Sequence, residues 1–499
     1  MKTRMIIVAL MAALLIPFSA QAQNSSFDAL KKKNDKKFED HKQRIENTFR
    51  ARREAMNKEF ELALRQPWEK KAGKKAVPTP KKKDKDLPPI VIEEKDKQTP
   101  PKDKPIIIEE IPVVPEPEPA PEPTYPIEEI PGPDQEVSSF SVYGTQFKVR
   151  YPATPKIQGV EESQVADFWL TLCGPDYDNM LVDLLDQKTK LSLCDWAYMK
   201  VVDKFTESIY GSESAPESVV LQAYILTQSG FRLYLARDSK KALHKLIPTD
   251  LDVYKYPYVV VDGRKCYLFD SAGDKSYYVM GQALEGTVPM SVMLVRENSF
   301  ATAKGEPRTL KSRDYPAATV TANSNKNLIE FYNGYPESFA NNDGTSRWRF
   351  YANTPLSSIA KESIYPKLKE VIKDMNDFQA ASVLLNFVQT AFVYEYDDKV
   401  WGRDRAFFAD ETLFYPYSDC EDRSILFTRL VRDLIGRPAV LIYYPGHLAT
   451  AVNFSGEVNG DYLMIDGKKY VICDPTYIGA PIGLTMPGMD NAGAKVIKL

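Results

Sequence analysis

Between Val77 and Pro133 the chain carries sixteen prolines, and that stretch decides how its 499 residues can be divided. Proline lacks a backbone donor and fixes φ, so a segment this dense in it, interleaved with charged residues, cannot build a helix interior or bury a core. Near-repeats run through it: Pro-Pro-Ile-Val-Ile-Glu-Glu at 88–94, Lys-Pro-Ile-Ile-Ile-Glu-Glu at 104–110 and Tyr-Pro-Ile-Glu-Glu at 125–129. The composition predicts an extended, disordered Pro-rich linker over 73–136, serving as a tether or a passive spacer. Folded structure must lie to either side of it.

On the N-terminal side, residues 1–22 have the pattern of a secretory signal: Lys2 and Arg4, an apolar run from Met5 to Ile16, then Ala20-Gln21-Ala22 as a small-residue cleavage site. The expectation is export to a periplasmic or extracellular space with cleavage after Ala22, and the signal has a bacterial look. No later stretch reaches the roughly 18 to 20 apolar residues that span a bilayer, so no transmembrane span is expected. Residues 24–72 then read as a charged amphipathic helix, with Phe27, Phe38, Phe49 and Phe60 recurring every eleven residues and Ile45 and Met56 on the same period. Eleven residues make three turns at 3.67 per turn, so these side chains form one narrow stripe. The stripe either packs on the rest of the protein or serves self-association or partner docking.

Beyond the linker the chain reads as α+β. A hydrophobic content of 43% leaves room for two cores, and the boundaries fall at a mixed α+β middle domain over 137–351 and a C-terminal domain over 352–499. In the middle region, Val165–Leu185 and Leu193–Tyr210 are helical in pattern, whereas Val219–Leu235, Tyr256–Asp270, Ser276–Met280 and Ser291–Arg296 read as extended. A net charge of −3 gives no overall attraction to nucleic acid. Five cysteines are too few for a disulfide scaffold; Cys173 and Cys194 either pair or stay free, and an odd count leaves at least one thiol over.

The chemistry concentrates near the C terminus. Cys420 opens an apolar-periodic run that has Ile425, Leu426, Leu430, Val431 and Leu434 on one face and Gly436 as its stop, so the thiol sits in the first turn of a helix. Unpaired backbone N–H groups there favour a thiolate. That alone does not suffice, because a helix terminus contributes about 0.3 to 1 kcal/mol and Asp419, Glu421 and Asp422 crowd the sulfur with negative charge. An imidazole is needed, and the chain has three: His41, His244 and His447. Only His447 lies beyond Cys420, after the Pro445-Gly446 turn and at the start of a strand. Asp474 closes a later hairpin, Tyr462–Ile465 and Lys469–Cys473 around Asp466-Gly467, and its carboxylate would orient the ring as the third member of a nucleophile, base and orienter set.

Three segments carry a resemblance: Asp419-Cys420-Glu421-Asp422-Arg423-Ser424, Tyr444-Pro445-Gly446-His447-Leu448-Ala449-Thr450-Ala451-Val452 and Cys473-Asp474-Pro475-Thr476-Tyr477. Together they resemble the transglutaminase-like superfamily, over roughly the last 120 to 150 residues. The resemblance implies a papain-like arrangement of a nucleophile helix on an antiparallel sheet, with Cys420 as nucleophile, His447 as general base and acid, and Asp474 as orienter. It also calls for an oxyanion donor, for which Gln389, in the helical stretch Asp377–Phe392, is the candidate beside the Cys420 backbone N–H. Trp401 and Tyr417 either line a substrate groove or are packing aromatics.

One internal parallel stands out. Tyr258, Asp262-Gly263 and Asp270 match Tyr462, Asp466-Gly467 and Asp474 at a constant offset of 204, and Cys194 heads a helical segment as Cys420 does. Either the middle region is a degenerate copy of the C-terminal fold or two unrelated hairpins share Asp-Gly turns. His244, between Cys194 and Asp270, makes a second triad formally possible, although its lysine-rich neighbours suggest a surface segment.

The expectation is therefore an exported cysteine-dependent acyl-transfer enzyme acting on peptide or side-chain amide bonds, possessing neither cofactor nor metal: three scattered histidines cannot assemble a zinc site, and no calcium-binding loop is present. Its substrate would be a protein or peptide, including cell-envelope peptide, and the acyl acceptor water or an amine. The alternative is a non-catalytic envelope binding or scaffold protein of the same fold. A disulfide-linked structural protein is a third reading.

Overall fold

Two antiparallel sheets organise the protein, and the difference between their inner and outer strands is written in burial. The computed structural model describes residues 50–79, 88–93, 101–108, 135–340 and 343–499. The signal-like segment and the stripe residues Phe27, Phe38 and Phe49 lie outside them. Strands Tyr258–Val261 and Ser276–Val279 alternate covered and open positions, as a half-buried strand must. Leu243–Pro248 and His447–Val452 are buried at every residue, which marks them as central strands covered on both faces.

The first sheet closes into a barrel. Its strands run in the order Glu69–Lys74, Ser276–Val279, Tyr234–Asp238, Leu243–Pro248, Arg264–Tyr267, Tyr258–Val261, and the last pairs back with the first. The second sheet is open, in the order Lys495–Lys498, Ala439–Tyr444, His447–Val452, Lys468–Cys473, Asp461–Ile465, Lys104–Pro105. All its pairings are antiparallel except the outermost, Asp461–Tyr462 against Lys104–Pro105.

Apart from the outermost strand, five strands recur in the same order in both sheets. The recurring hairpins turn on Asp262-Gly263 and Asp466-Gly467, with φ of 49° and 75° in one and 49° and 74° in the other, the paired left-handed geometry of a two-residue type I′ turn. A helix leads into each set: Pro216–Gln228 before Tyr234–Asp238, and Cys420–Leu434 before Ala439–Tyr444. The 204-residue offset extends to these helices, whose first residues are Pro216 and Cys420. The helix that Cys194 caps, Asp195–Tyr210, is a different element.

Several expectations need correction. Val219–Leu235 is not extended: it holds most of the helix Pro216–Gln228, nearly all of whose residues are buried, and a helix apolar all round loses the 3.6-residue signature that separates it from a strand. Val165–Leu185 is two helices, Glu162–Leu172 and Asp178–Lys190, divided at Gly174-Pro175. The charged helix ends at residue 64, and Glu69–Lys74 is a barrel strand. Phe60 is buried, its ring 4.7 Å from Trp169, so this member of the stripe packs within the chain.

The largest correction concerns the linker. Its described pieces are docked. Ile90–Val91 pairs in parallel with Tyr477–Ile478, and Lys104–Pro105 extends the open sheet. Ile92 and Ile106 are buried, Ile106 in the apolar cluster on the outer face of that sheet with Val440, Ile442, Leu463 and Ile472. The first two near-repeats are docking points: in each, a proline-led apolar triplet buries one isoleucine, Ile92 or Ile106, and backbone pairing falls within or directly before it. A deletion of either isoleucine side chain to alanine would cost about 2 to 5 kcal/mol for a core position.

From Met56 onward the chain forms one compact unit. A single apolar core runs through it from Phe60 to Ile497 and includes the inner face of the open sheet, where Leu441, Leu448, Val452, Val471 and Ile497 meet Ile425, Leu426 and Leu430 of the Cys420 helix.

Candidate active site

The helix Cys420–Leu434 begins as expected, with Asp419 and Asp422 forming a reciprocal capping box in which Asp422 Oδ2 accepts the Asp419 N–H at 3.2 Å. Asp422 Oδ1 also accepts the Phe407 N–H at 2.9 Å and so ties the 403–408 segment to the helix start. Burial, then the neighbouring charges of Asp419 and Glu421, push the Asp422 carboxyl well above its ordinary range. The Cys420 thiol is 2% exposed and donates to Glu421 Oε2 at 2.9 Å.

Opposite the helix, Ala439–Tyr444 and His447–Val452 pair with Tyr444 facing His447 across the Pro445-Gly446 turn. Asp474 follows directly on the Lys468–Cys473 strand, whose Cys473 pairs with Thr450. Asp474 Oδ2 meets His447 Nε2 at 2.9 Å, while Oδ1 accepts the N–H groups of Thr476 and Tyr477 at 2.8 and 3.2 Å. The carboxylate is thus held by its own turn and aims its second oxygen at the ring. His447 Nδ1 is buried with no hydrogen-bond partner among the described residues. That nitrogen is the one left to handle a proton.

A closed circuit of hydrogen bonds connects these parts. Ser424, one helical turn beyond Cys420, donates to the Leu448 carbonyl at 2.8 Å, which fixes the helix against the residue next to His447. His447 binds Asp474. The Gln389 amide nitrogen then reaches the carbonyls of Asp474, Tyr477 and Ala480 at 3.0, 2.8 and 3.1 Å, and its oxygen accepts the Gly479 N–H at 3.1 Å. Finally Arg423, buried in the Cys420 helix, donates to the Gln389 and Phe392 carbonyls at 3.1 and 2.9 Å at the end of the helix Asp377–Ala391, and to Ser418 Oγ at 3.3 Å. The Cys420 helix, the His447 strand, the Asp474 turn and the Gln389 helix lock one another in sequence.

Gln389 therefore sits beside the site in a different role from the oxyanion donor expected of it. Both amide hydrogens are spent on three buried carbonyls, and each of those left unpaired would cost about 1 to 3 kcal/mol. Trp401 is a packing group: its ring meets Phe407 and Tyr415 edge-on, with the Arg405 guanidinium 4.6 Å from its centre. Tyr417 stays exposed, on a two-residue strand beside Val393–Tyr394. Arg423 and Ser424 had no role assigned from the sequence, and Glu421 only that of a negative neighbour of the sulfur. The available signal was an arginine and a serine among the first five residues of an apolar-periodic helix.

Two groups of acidic side chains adjoin the thiol. Asp397, Asp404 and Glu421 bring one oxygen each within 4.8 Å of one another, as do Asp419 and Glu421 with the Cys420 sulfur. A cation-ligating arrangement of carboxylates has that spacing. Here Arg347, 2.5 Å from Asp404, and the Arg405 N–H, 2.6 Å from Asp397, already place positive charge and a donor in the same spot.

None of the five cysteines, all among the described residues, is joined in a disulfide, so neither the Cys173–Cys194 pairing nor a disulfide-linked structural role is found. Burial pushes the Cys194 and Cys266 thiols up to about 12, and Cys473 well above its ordinary value. In the middle region His244 is buried, not at a surface: Nε2 lies 3.3 Å from Asp238 and Nδ1 3.6 Å from Asp270. At the place that Cys420 holds in the second copy of the strand order stands Pro216, which carries no nucleophile.

Stability should fall as pH rises from 5 to 8. Burial lifts Glu411 from 4.5 to about 7 and Asp410 from 3.8 to about 6, so the folded chain binds these protons more tightly than the unfolded chain. Their contribution is complete below about pH 4 and is lost as pH climbs through 6 to 7. His244, raised by its two aspartates against the opposing effect of burial, acts in the same direction. The thermal midpoint at pH 5 should exceed that at pH 8, and Glu411→Gln should shrink the difference.

Comparison of the chain with protein-family models, with curated proteins and with solved structures found no match.

Proposed function

We propose that this protein is a cysteine-dependent acyl-transfer enzyme of the transglutaminase-like kind, exported and acting on peptide or side-chain amide bonds. The observation that carries the reading is the closed circuit: a buried His447–Asp474 pair at 2.9 Å, locked through Ser424, Arg423 and Gln389 to the helix that starts at Cys420. A purely structural pair would not require the second ring nitrogen to be left without a partner in the core.

In the proposed reaction Cys420 Sγ turns from Glu421 and gives its proton to His447 Nδ1. The thiolate adds to the amide carbon, and the oxyanion is met by the Cys420 backbone N–H. Nδ1 then protonates the leaving amine as the C–N bond breaks, giving a thioester. Water or an amine adds to the thioester, Nδ1 takes its proton, and collapse returns that proton to sulfur. Asp474 keeps Nε2 protonated throughout. The second reading, a non-catalytic binding protein, draws support from the burial of the thiol and its bond to Glu421.

Iodoacetamide labelling followed by mass mapping separates the two. It should be done in a Cys173→Ser chain, because Cys173 alone of the five cysteines is partly exposed. Selective alkylation of Cys420 at pH 6 to 7, lost in His447→Ala, is the expected result. No preference for Cys420 over Cys194, Cys266 and Cys473 would leave the binding-protein reading standing.

A further inference from the structure

A cavity of about 220 Å³ opens where the middle and C-terminal regions meet, and no step of the proposed reaction uses it. At about 30 Å³ per water its volume matches roughly seven waters, the size of one or two small amino-acid residues. Aromatic faces form much of its wall, including Tyr256, Tyr332, Tyr351 and Phe408, with Tyr332 stacked on Phe408 at 4.3 Å.

Its charges do not balance. Lys255, Arg403 and Arg405 line it against two carboxylates, Glu337 and Glu411. Glu337 is already saturated: Oε1 takes Lys255 at 2.7 Å and Arg403 at 3.7 Å, and Oε2 accepts the Thr79 hydroxyl at 3.0 Å. Glu411, buried, is paired with Arg405, which also donates to Asn333. Arg403 is thus the loosely engaged cation, half-exposed and at the limit of ion pairing. Tyr335 adds to the aromatic wall, with its hydroxyl buried away from solvent.

We propose that this cavity binds the carboxylate of a small peptide or amino-acid ligand, with Arg403 as its donor and the aromatic walls covering the ligand's apolar part. Guanidinium groups suit carboxylates because their N–H groups match the spacing of the two oxygens. An ammonium group would meet a surplus of like charge, and a neutral ligand would leave that surplus uncompensated. The wall is shared with the Cys420 site through the 403–411 segment, whose Phe407 N–H is bound by Asp422. The assignment does not depend on the thiol reacting.

The test is calorimetric titration of the full chain carrying Cys420→Ala, so that no acyl transfer consumes the probe, with N-acetyl-Ala-Ala and its C-terminal amide. The acid should bind and the amide should bind at least tenfold more weakly. Arg403→Ala should weaken the acid at least fivefold. Equal affinity for acid and amide, no heat from either at millimolar concentration, or full affinity in Arg403→Ala would overturn the proposal. Any of these beside intact alkylation of Cys420 would sink the cavity assignment alone and leave the acyl-transfer reading in place.

Discussion

Cys420→Ala should remove turnover of any amide substrate, by about 10⁶-fold where a nucleophile acts as one unit with its base, while the protein keeps its fold. The sulfur is the protein atom that the proposed scheme bonds to the acyl carbon. Its loss deletes one buried thiol and the hydrogen bond to Glu421, whereas the bonds that lock the site, from Ser424, Arg423 and Gln389, do not involve it. Circular dichroism and the thermal midpoint should therefore stay close to those of the parent. Measured release of amine from a glutamine-bearing protein and from cell-wall peptide covers both acceptor classes. Residual turnover within tenfold of the parent would remove Cys420 from the mechanism.

Asp474→Asn should lower the rate by about 10⁴-fold without releasing the turn. Asparagine keeps an oxygen for the Thr476 and Tyr477 N–H groups, but the group then facing His447 is an NH₂ donor in place of a carboxylate oxygen. Nε2 must become the acceptor, and the proton moves to Nδ1, the nitrogen that should take one from the thiol. The variant should also lose selective alkylation of Cys420 at neutral pH, which an effect on substrate binding alone would not produce. A rate within threefold of the parent would mean that the 2.9 Å contact is only structural.

How much of this was legible beforehand depends on the element. The two strand starts at His447 and Lys468 and the Cys420 helix stand within a residue or so of their expected places, because each has a short-range signature: a capping acid before Cys420, a Pro-Gly turn before His447, an Asp-Gly turn before Lys468. The helix Pro216–Gln228 was read as strand because its Val219-Val220 run carries β propensity and tertiary burial overrode it. The docking of the proline-rich segment was hidden for another reason. Its partners, Tyr477 and Asp461, are hundreds of residues away, and composition reports only what a segment can do alone. The same limit concealed Gln389, whose four partners all lie between Asp474 and Ala480. A glutamine's chemistry is visible in a sequence; which carbonyls will claim it is not.

The strands at 69–74 and 104–105 are synthesised early and are completed late. Gly73 must wait for Val259, and Lys104 for Asp461, before either has an edge to join. Pairings of such long sequence separation are entropically expensive to close, so the barrel cannot be finished until residue 279 has emerged, nor the open layer until residue 498 has. A premature stop would leave the strand at 69–74 or the one at 104–105 without its partner and bare to other chains. The early segment thus works as a checkpoint on completeness: each of its strands is sealed only when the layer it joins has been fully translated.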